Sequence, residues 1–174
     1  ADVGIAMGEA GTDVAREVAD VILENDDLQT MLVAVEQGRT IYSNIRKSVH
    51  FLLSTNFSEV IMVVASMASG LGQPLNAMQL LWINLVSETS VGLALALEPP
   101  EPDIMEQPPR DPDEAIIPPR ELSRMGVEAL TLSGGALAAY GYGVARYGQG
   151  VQAGTLGFTT LTAAQLLHAI VSRS

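Results

Sequence analysis

Two glutamates stand in stretches otherwise free of charge: Glu59 is the one ionisable group of residues 51–71, and Glu88 the one of residues 76–97. A carboxylate in hydrocarbon costs about 2.5–3.5 kcal/mol even on a lenient insertion scale, so such groups are functional by default. Asn56 lies three residues before Glu59, one helical turn away on the same face; Asn84 stands four before Glu88, and Ser87 adds a hydroxyl near that face. Two facing helices would each offer an amide oxygen and a carboxylate to one cavity. An all-oxygen set suits a hard cation (Ca²⁺, Na⁺, K⁺, or a proton on a carboxyl) and not a soft metal. Gln165, deep in the last apolar stretch, is a further candidate ligand. The plainer reading makes the amides hydrogen-bond glue between helices, with the glutamates paired to each other or to another helix. Two Glu and two Asn at matched depth favour ion handling over glue.

The other polar residues are read more plainly. Glu128 falls near a helix start, where solvation is expected, and His50 and His168 sit near membrane ends, where they snorkel rather than bind. Trp82 is a belt anchor or a packing residue. Gly4-Ile5-Ala6-Met7-Gly8 and Gly11-Thr12 have no following Gly-Lys-Ser/Thr and make no phosphate-binding loop. Nothing positions a Ser-His-Asp set, so no catalytic residue is assigned.

The elements that must position these residues follow from composition. The chain has 174 residues, 48 % of them apolar and only 17 % charged, yet its net charge is −11. Low charge and strong acidity coexist only if they occupy different segments, which predicts a membrane protein with acidic water-facing parts. With no Cys there are no disulfides, thiolate metal sites or cysteine nucleophile. The acidic balance excludes nucleic acid as a partner.

Residues 1–27 read as strand, Gly turn, short helix over 13–19 capped by Thr12, and a second strand at Val21-Ile22-Leu23. That order implies parallel pairing, and the rest of such a sheet is expected before Ala1. Residues 28–50 form an amphipathic stalk helix that runs on, without Pro, into a span over 51–71. Together they make a helix about 60 Å long at about 1.5 Å per residue. Three more spans are expected, over 76–97, 125–147 and 154–171; the 125–147 span is rich in small residues (Gly134, Gly135, Ala136, Ala138, Ala139, Gly141, Gly143) that allow close helix approach. Residues 98–121, with eight Pro and eight acidic residues, read as an extended solvated loop. The fold class is therefore mainly α, a four-span helical bundle with a stalk and an N-terminal α/β remnant. Placing the stalk inside puts Arg16, Arg39, Arg46, Lys47, Arg110, Arg120, Arg124 and Arg173 on the cytoplasmic side and only Arg146 outside.

The motifs resemble those of one family. Residues 1–8 (ADVGIAMG) with Gly11-Thr12-Asp13-Val14-Ala15 are similar to the end of the phosphorylation domain of P-type ATPases. Residues 33–47 (VAVEQGRTIYSNIRK) resemble their stalk helix. Residues 79–84 (QLLWIN), 98–105 (EPPEPDIM) with Pro108-Pro109-Arg110, and Phe158-Thr159-Thr160-Leu161 with Gln165-Leu166 resemble later spans and a cytoplasmic loop. The resemblance implies a cation pump, driven by ATP with Mg²⁺ through an aspartyl-phosphate on a haloacid-dehalogenase-like domain, in the plasma membrane. It implies ion ligands at Asn56, Glu59 and Asn84. Ser87 and Glu88 stand where calcium pumps usually have Thr-Asp, and Gln165 where some have Glu. Calcium is the first expectation, sodium or potassium the second, a proton the third. The phosphorylated Asp, nucleotide site and first four spans are expected elsewhere in the same pump, so this part alone should not hydrolyse ATP. The heavy-metal branch fits less well, having two spans after its phosphorylation domain and softer ligands. The rival from another class is a truncated, non-enzymatic membrane polypeptide that associates with or regulates a complete pump; a passive channel gives the stalk no purpose.

Overall fold

The computed structural model describes residues 3–110 and 115–172. Part of the expected Pro-rich loop (111–114) and Arg173 of the basic tally lie outside the described residues. The chain divides into two compact units, Ala1–Tyr42 with Pro99–Pro108, and Ser43–Glu98 with Pro109–Ser174.

In the first unit, strands β1 (Ile5–Met7) and β2 (Val21–Leu23) flank helix α1 (Asp13–Val18). The strands pair in parallel, Ile5 opposite Val21 and Met7 opposite Leu23, the pairing that a strand–helix–strand order requires. Thr12 caps α1: its Oγ1 accepts from the Ala15 amide at 3.2 Å. Gly11 is needed where it stands, since a Cβ there would lie 2.0 Å from the Met7 carbonyl oxygen. Asp26 closes the unit from a left-handed backbone (φ 53°). Its carboxylate accepts from the amides of Glu9 at 3.0 Å and Ala10 at 2.7 Å. Asp26→Ala removes both acceptors and puts a methyl-bearing residue where Asp is better tolerated, so it should destabilise this unit by about 2 kcal/mol. Faster hydrogen exchange at the Glu9 and Ala10 amides is the readout; unchanged protection would contradict the role given to Asp26.

The segment expected as a solvated loop is partly tied down. Ile104 is buried, and Arg39 Nη1 donates to the carbonyls of Ile104 at 2.9 Å and Gln107 at 2.7 Å. Each of these carbonyls gains a charged donor, which is worth more than a neutral one.

The second unit is helical. Helix α2 is one 41-residue element, Leu28–Ala68, whose residues from Ser43 onward belong here. Within the stretch expected as one span, 76–97, a continuous helical run holds α3 (Ala77–Trp82), a π-helical segment (Ile83–Glu88) and α4 (Thr89–Ala96). Asn76 opens α3 with a capping box, its side chain bonded to the Gln79 amide and the Gln79 side chain to its own. Helix α5 (Pro119–Tyr147) starts six residues before the expected 125, with Pro at its first position, where the missing N–H costs nothing. Helix α6 is Val151–Val171. Of these, α2 and α6 are long and apolar enough to cross a membrane. Over residues 77–96, α3, the π segment and α4 run on as one continuous helical stretch, while Gly, Ser, Thr and Tyr dilute the apolar character of α5.

Helix α2 is pinned antiparallel to the following segment by side chains reaching across to backbone. Asn44 Nδ2 donates to the carbonyls of Ala96 at 3.3 Å and Glu98 at 2.7 Å, and Ser48 Oγ to that of Gly92 at 3.1 Å. Met62, Leu75, Ile83, Ala136, Tyr140, Ala153 and Leu161 form one apolar cluster. Phe51, Leu95 and Ala169 form another. Many large apolar side chains stay exposed on the same helices, among them Val60, Val64, Leu85, Leu93, Leu130 and Ile170, which suits contact with lipid. Trp82 stands edge-on to Phe158, ring centroids 5.8 Å apart, with about half of its surface exposed.

Candidate functional site

Between the two apolar clusters lies a polar layer. On α2 it falls between Phe51 and Met62, across the π segment and α4 between Ile83 and Leu95, and on α6 between Leu161 and Ala169. Asn56, Glu59, Asn84, Ser87, Glu88 and Gln165 all occupy these intervals.

The two helices exchange partners across their interface. Asn56 Nδ2 on α2 donates to Glu88 Oε2 at 2.9 Å, and Asn84 Nδ2 on the π segment donates to Glu59 Oε2 at 3.1 Å. The antiparallel run of the two elements makes this reciprocal: each helix's amide holds the other's carboxylate. Gln165 Nε2 on α6 donates to Glu59 Oε1 at 3.3 Å, so a third helix converges on the same group. The amides thus present nitrogen rather than the expected oxygen, because an ionised carboxylate can only accept. Each Asn also donates to the carbonyl four residues before it, Asn56 to Leu52 at 2.7 Å and Asn84 to Leu80 at 2.9 Å.

Three buried oxygens near this layer have no hydrogen-bond partner among the described residues: Glu88 Oε1, Gln165 Oε1 and Thr162 Oγ1. The Thr55 hydroxyl lies 3.0 and 3.1 Å from the Phe51 and Leu52 carbonyls. Ser87 is buried in the π segment but bonds neither carboxylate among the described residues. The π segment itself is the feature that sequence periodicity could not foresee. Such local widenings recur at functional sites, where they re-aim side chains from an otherwise regular helix. Here the Thr89 hydroxyl donates to the Asn84 carbonyl five residues back, at 3.1 Å, taking up a backbone acceptor of the widened turn.

A second cluster was read from sequence as solvated or snorkelling groups, and the structure corrects that reading. His50, Glu128 and His168 converge from α2, α5 and α6. His50 Nε2 lies 2.7 Å and His168 Nε2 3.6 Å from Glu128 Oε2. Ser54 Oγ donates to the same oxygen at 3.1 Å, and Arg124 Nε to Glu128 Oε1 at 2.9 Å. The three residues are 118 positions apart end to end, so no local spacing could reveal them.

Helices with apolar outer faces around a carboxylate-bearing layer are the make-up of an integral membrane protein. The family described as cation transporting ATPase, C-terminus, matches residues 72–174. The chain is 45 % identical over 132 residues to calcium-transporting ATPase 1 of Yarrowia lipolytica, covering 76 % of this chain and 14 % of that protein. It is 46 % identical over 116 residues to calcium-transporting ATPase 1 of Bacillus cereus, covering 67 % and 13 %. It is 38 % identical over 137 residues to calcium-transporting ATPase type 2C member 1 of Mus musculus, covering 79 % and 15 %. The chain belongs to the P-type cation-transporting ATPase family, in its C-terminal region. It spans about one-seventh of the length of these relatives.

Proposed function

We propose that this chain is the ion-binding membrane region of an ATP-driven pump that moves a hard cation, Ca²⁺ first, then Na⁺ or K⁺, then a proton. The observation that carries the reading is the buried pair Glu59 and Glu88, cross-held by Asn84 and Asn56, with the Glu88 Oε1 and Gln165 Oε1 oxygens left without donors. Buried acceptors without donors are costly, and a cation supplies what they lack. Turning each amide about its last side-chain torsion exchanges NH₂ for C=O, converting Asn56, Asn84 and Gln165 from holders of a carboxylate into ligands of an ion. Ser87, on the same buried segment, is a neutral ligand reached by a small rotation of that segment. The relatives' names, calcium-transporting among them, support calcium as the first choice.

In the same reading the chain crosses the plasma membrane four times with its N-terminal end cytoplasmic. Its N-terminal β–α–β piece belongs to the haloacid-dehalogenase-like phosphorylation domain, and residues 28–50 of α2 form the stalk between that domain and the ion site. ATP and Mg²⁺ act through other parts of the pump. The amides of Glu9 and Ala10, next to the Gly-rich turn, bond the Asp26 carboxylate. ATP supplies the phosphoryl group; this chain's share is to bind the ion and to change its grip on it.

The test is phosphoenzyme formation from labelled ATP by the full-length transporter in lipid, titrated separately with Ca²⁺, Na⁺ and K⁺. Activation at micromolar Ca²⁺ is expected, meaning that Glu88 serves where Asp is usual. Activation by Na⁺ or K⁺ alone would transfer the assignment to a monovalent ion. Phosphorylation indifferent to all three would remove metal cations from the reading.

A further inference from the structure

Away from the carboxylate layer, α2, α5 and α6 bring together two imidazoles and a carboxylate. The ligand atoms of His50, Glu128 and His168 all lie within 4.8 Å of one another. Their side chains are 11–19 % exposed, and His168 Nε2 is buried with no hydrogen-bond partner. An imidazole nitrogen that makes no hydrogen bond among the described residues has a lone pair or proton to place, and a metal ion is one partner that satisfies it. The His168 ring stacks on Phe51, centroids 6.0 Å apart.

We propose that His50, Glu128 and His168 form a binding site for a borderline divalent metal such as Zn²⁺, separate from the transport site. The donor set decides the class of ion. Imidazole nitrogen with one carboxylate oxygen suits zinc and its neighbours, whereas Ca²⁺ and Na⁺ take oxygen alone. Tetrahedral zinc with bonds of about 2.0–2.1 Å sets its donors roughly 3.4 Å apart. The observed 2.7 and 3.6 Å separations to Glu128 Oε2 bracket that distance, so modest ring rotations complete the site. Binding ends the His50–Glu128 hydrogen bond: the proton shared between them is released to solvent, and the neutral His50 ring, with its one proton on Nδ1, gives the Nε2 lone pair to the metal.

The positive charges around the cavity are each paired with a carboxylate. Arg124 bonds the other oxygen of Glu128, Oε1, and so holds the carboxylate with Oε2 turned to the histidines. Arg46 and Lys47, which line the same cavity, are bridged to Glu121 and Glu98. The cavity, about 250 Å³, reaches all three ligands and leaves a fourth position for water. Because the three ligands come from three helices, an ion here ties α2, α5 and α6 together.

The test is isothermal titration of Zn²⁺ into the full-length transporter carrying Glu59→Gln and Glu88→Gln, which silences the proposed transport site. One zinc ion should bind, and His50→Gln or His168→Gln, each close in shape to the ring it replaces, should each weaken it by more than about tenfold. Substitution by Co²⁺ should give the intense visible absorption of a tetrahedral nitrogen–oxygen site, lost in both histidine variants. Zinc binding unchanged in both histidine variants overturns the proposal, as does no zinc binding by a protein of unaltered helical circular dichroism. Zinc bound by the wild type but lost with Glu59→Gln and Glu88→Gln also overturns it, by assigning the ion to the carboxylate layer. Failure of Ca²⁺ activation in the phosphorylation assay bears only on the transport site and leaves this result standing.

Discussion

Glu59→Gln or Glu88→Gln in the full-length transporter should abolish cation-activated phosphorylation from ATP while leaving the protein inserted and folded. Gln matches Glu in volume and keeps a carbonyl oxygen, so the Asn84 and Asn56 donors at 3.1 and 2.9 Å retain an acceptor. On the proposed reading, what is lost is the negative charge that would face the cation in place of its hydration shell. We expect at least about a hundredfold loss of apparent cation affinity, roughly 2.8 kcal/mol. Stability should not fall with it, since removing a buried charge lowers the cost of burial. The two variants should also differ. Glu59 is gripped by Asn84 and Gln165, whereas Glu88 has one oxygen without a donor, so Gln at 88 can place its NH₂ in that vacancy without breaking a bond. Full wild-type activation in both variants would end the ion-site assignment.

Gly143→Leu should destabilise the paired helices α5 and α6 by about 1–3 kcal/mol, the usual penalty for forcing extra atoms into a packed contact. A Cβ at 143 would lie 2.8 Å from the Ala153 Cα and 3.1 Å from its Cβ. Backbone cannot step aside as the end of a side chain can, so the helices must separate, and small residues are what lets membrane helices approach this closely. The thermal midpoint in detergent should fall by several degrees. Gly134→Ala and Gly135→Ala serve as controls: nothing lies within 4 Å of either added methyl, and their stabilities should stay within about 0.5 kcal/mol of the parent. A Gly143→Leu protein as stable as those controls would mean that α5 and α6 do not pack at this register.

These two cases differ in how much sequence could foretell. Glu59 and Glu88 stand out because a charge in an apolar stretch is an outlier in composition, visible without any coordinates. The glycines do not: Gly134, Gly135, Gly141 and Gly143 read alike as a close-packing surface, and only the facing helix separates Gly143, against Ala153, from Gly134 and Gly135, which face open space. Similarly, Thr12 announces the start of α1 through a local bond that sequence spacing determines. The start of α5 at Pro119 was hidden inside a segment whose Pro and acidic content reads as loop.

Sequence by itself determined the membrane character, the long Pro-free α2, the β–α–β order, the family, and which two carboxylates stand in apolar stretches. All of these depend on composition or on contacts within a few residues, and such information is written in chain order. Only the tertiary structure decided that Asn56 holds Glu88 and Asn84 holds Glu59, that Gln165 joins them from α6, and that His50, Glu128 and His168 meet. The π segment at Ile83–Glu88 belongs with these, since a π turn changes the phase of a helix without changing its composition. The physical reason is shared: side chains from different helices meet according to register and rotation between elements, and hydrophobic periodicity gives the direction of a face but not what stands opposite it.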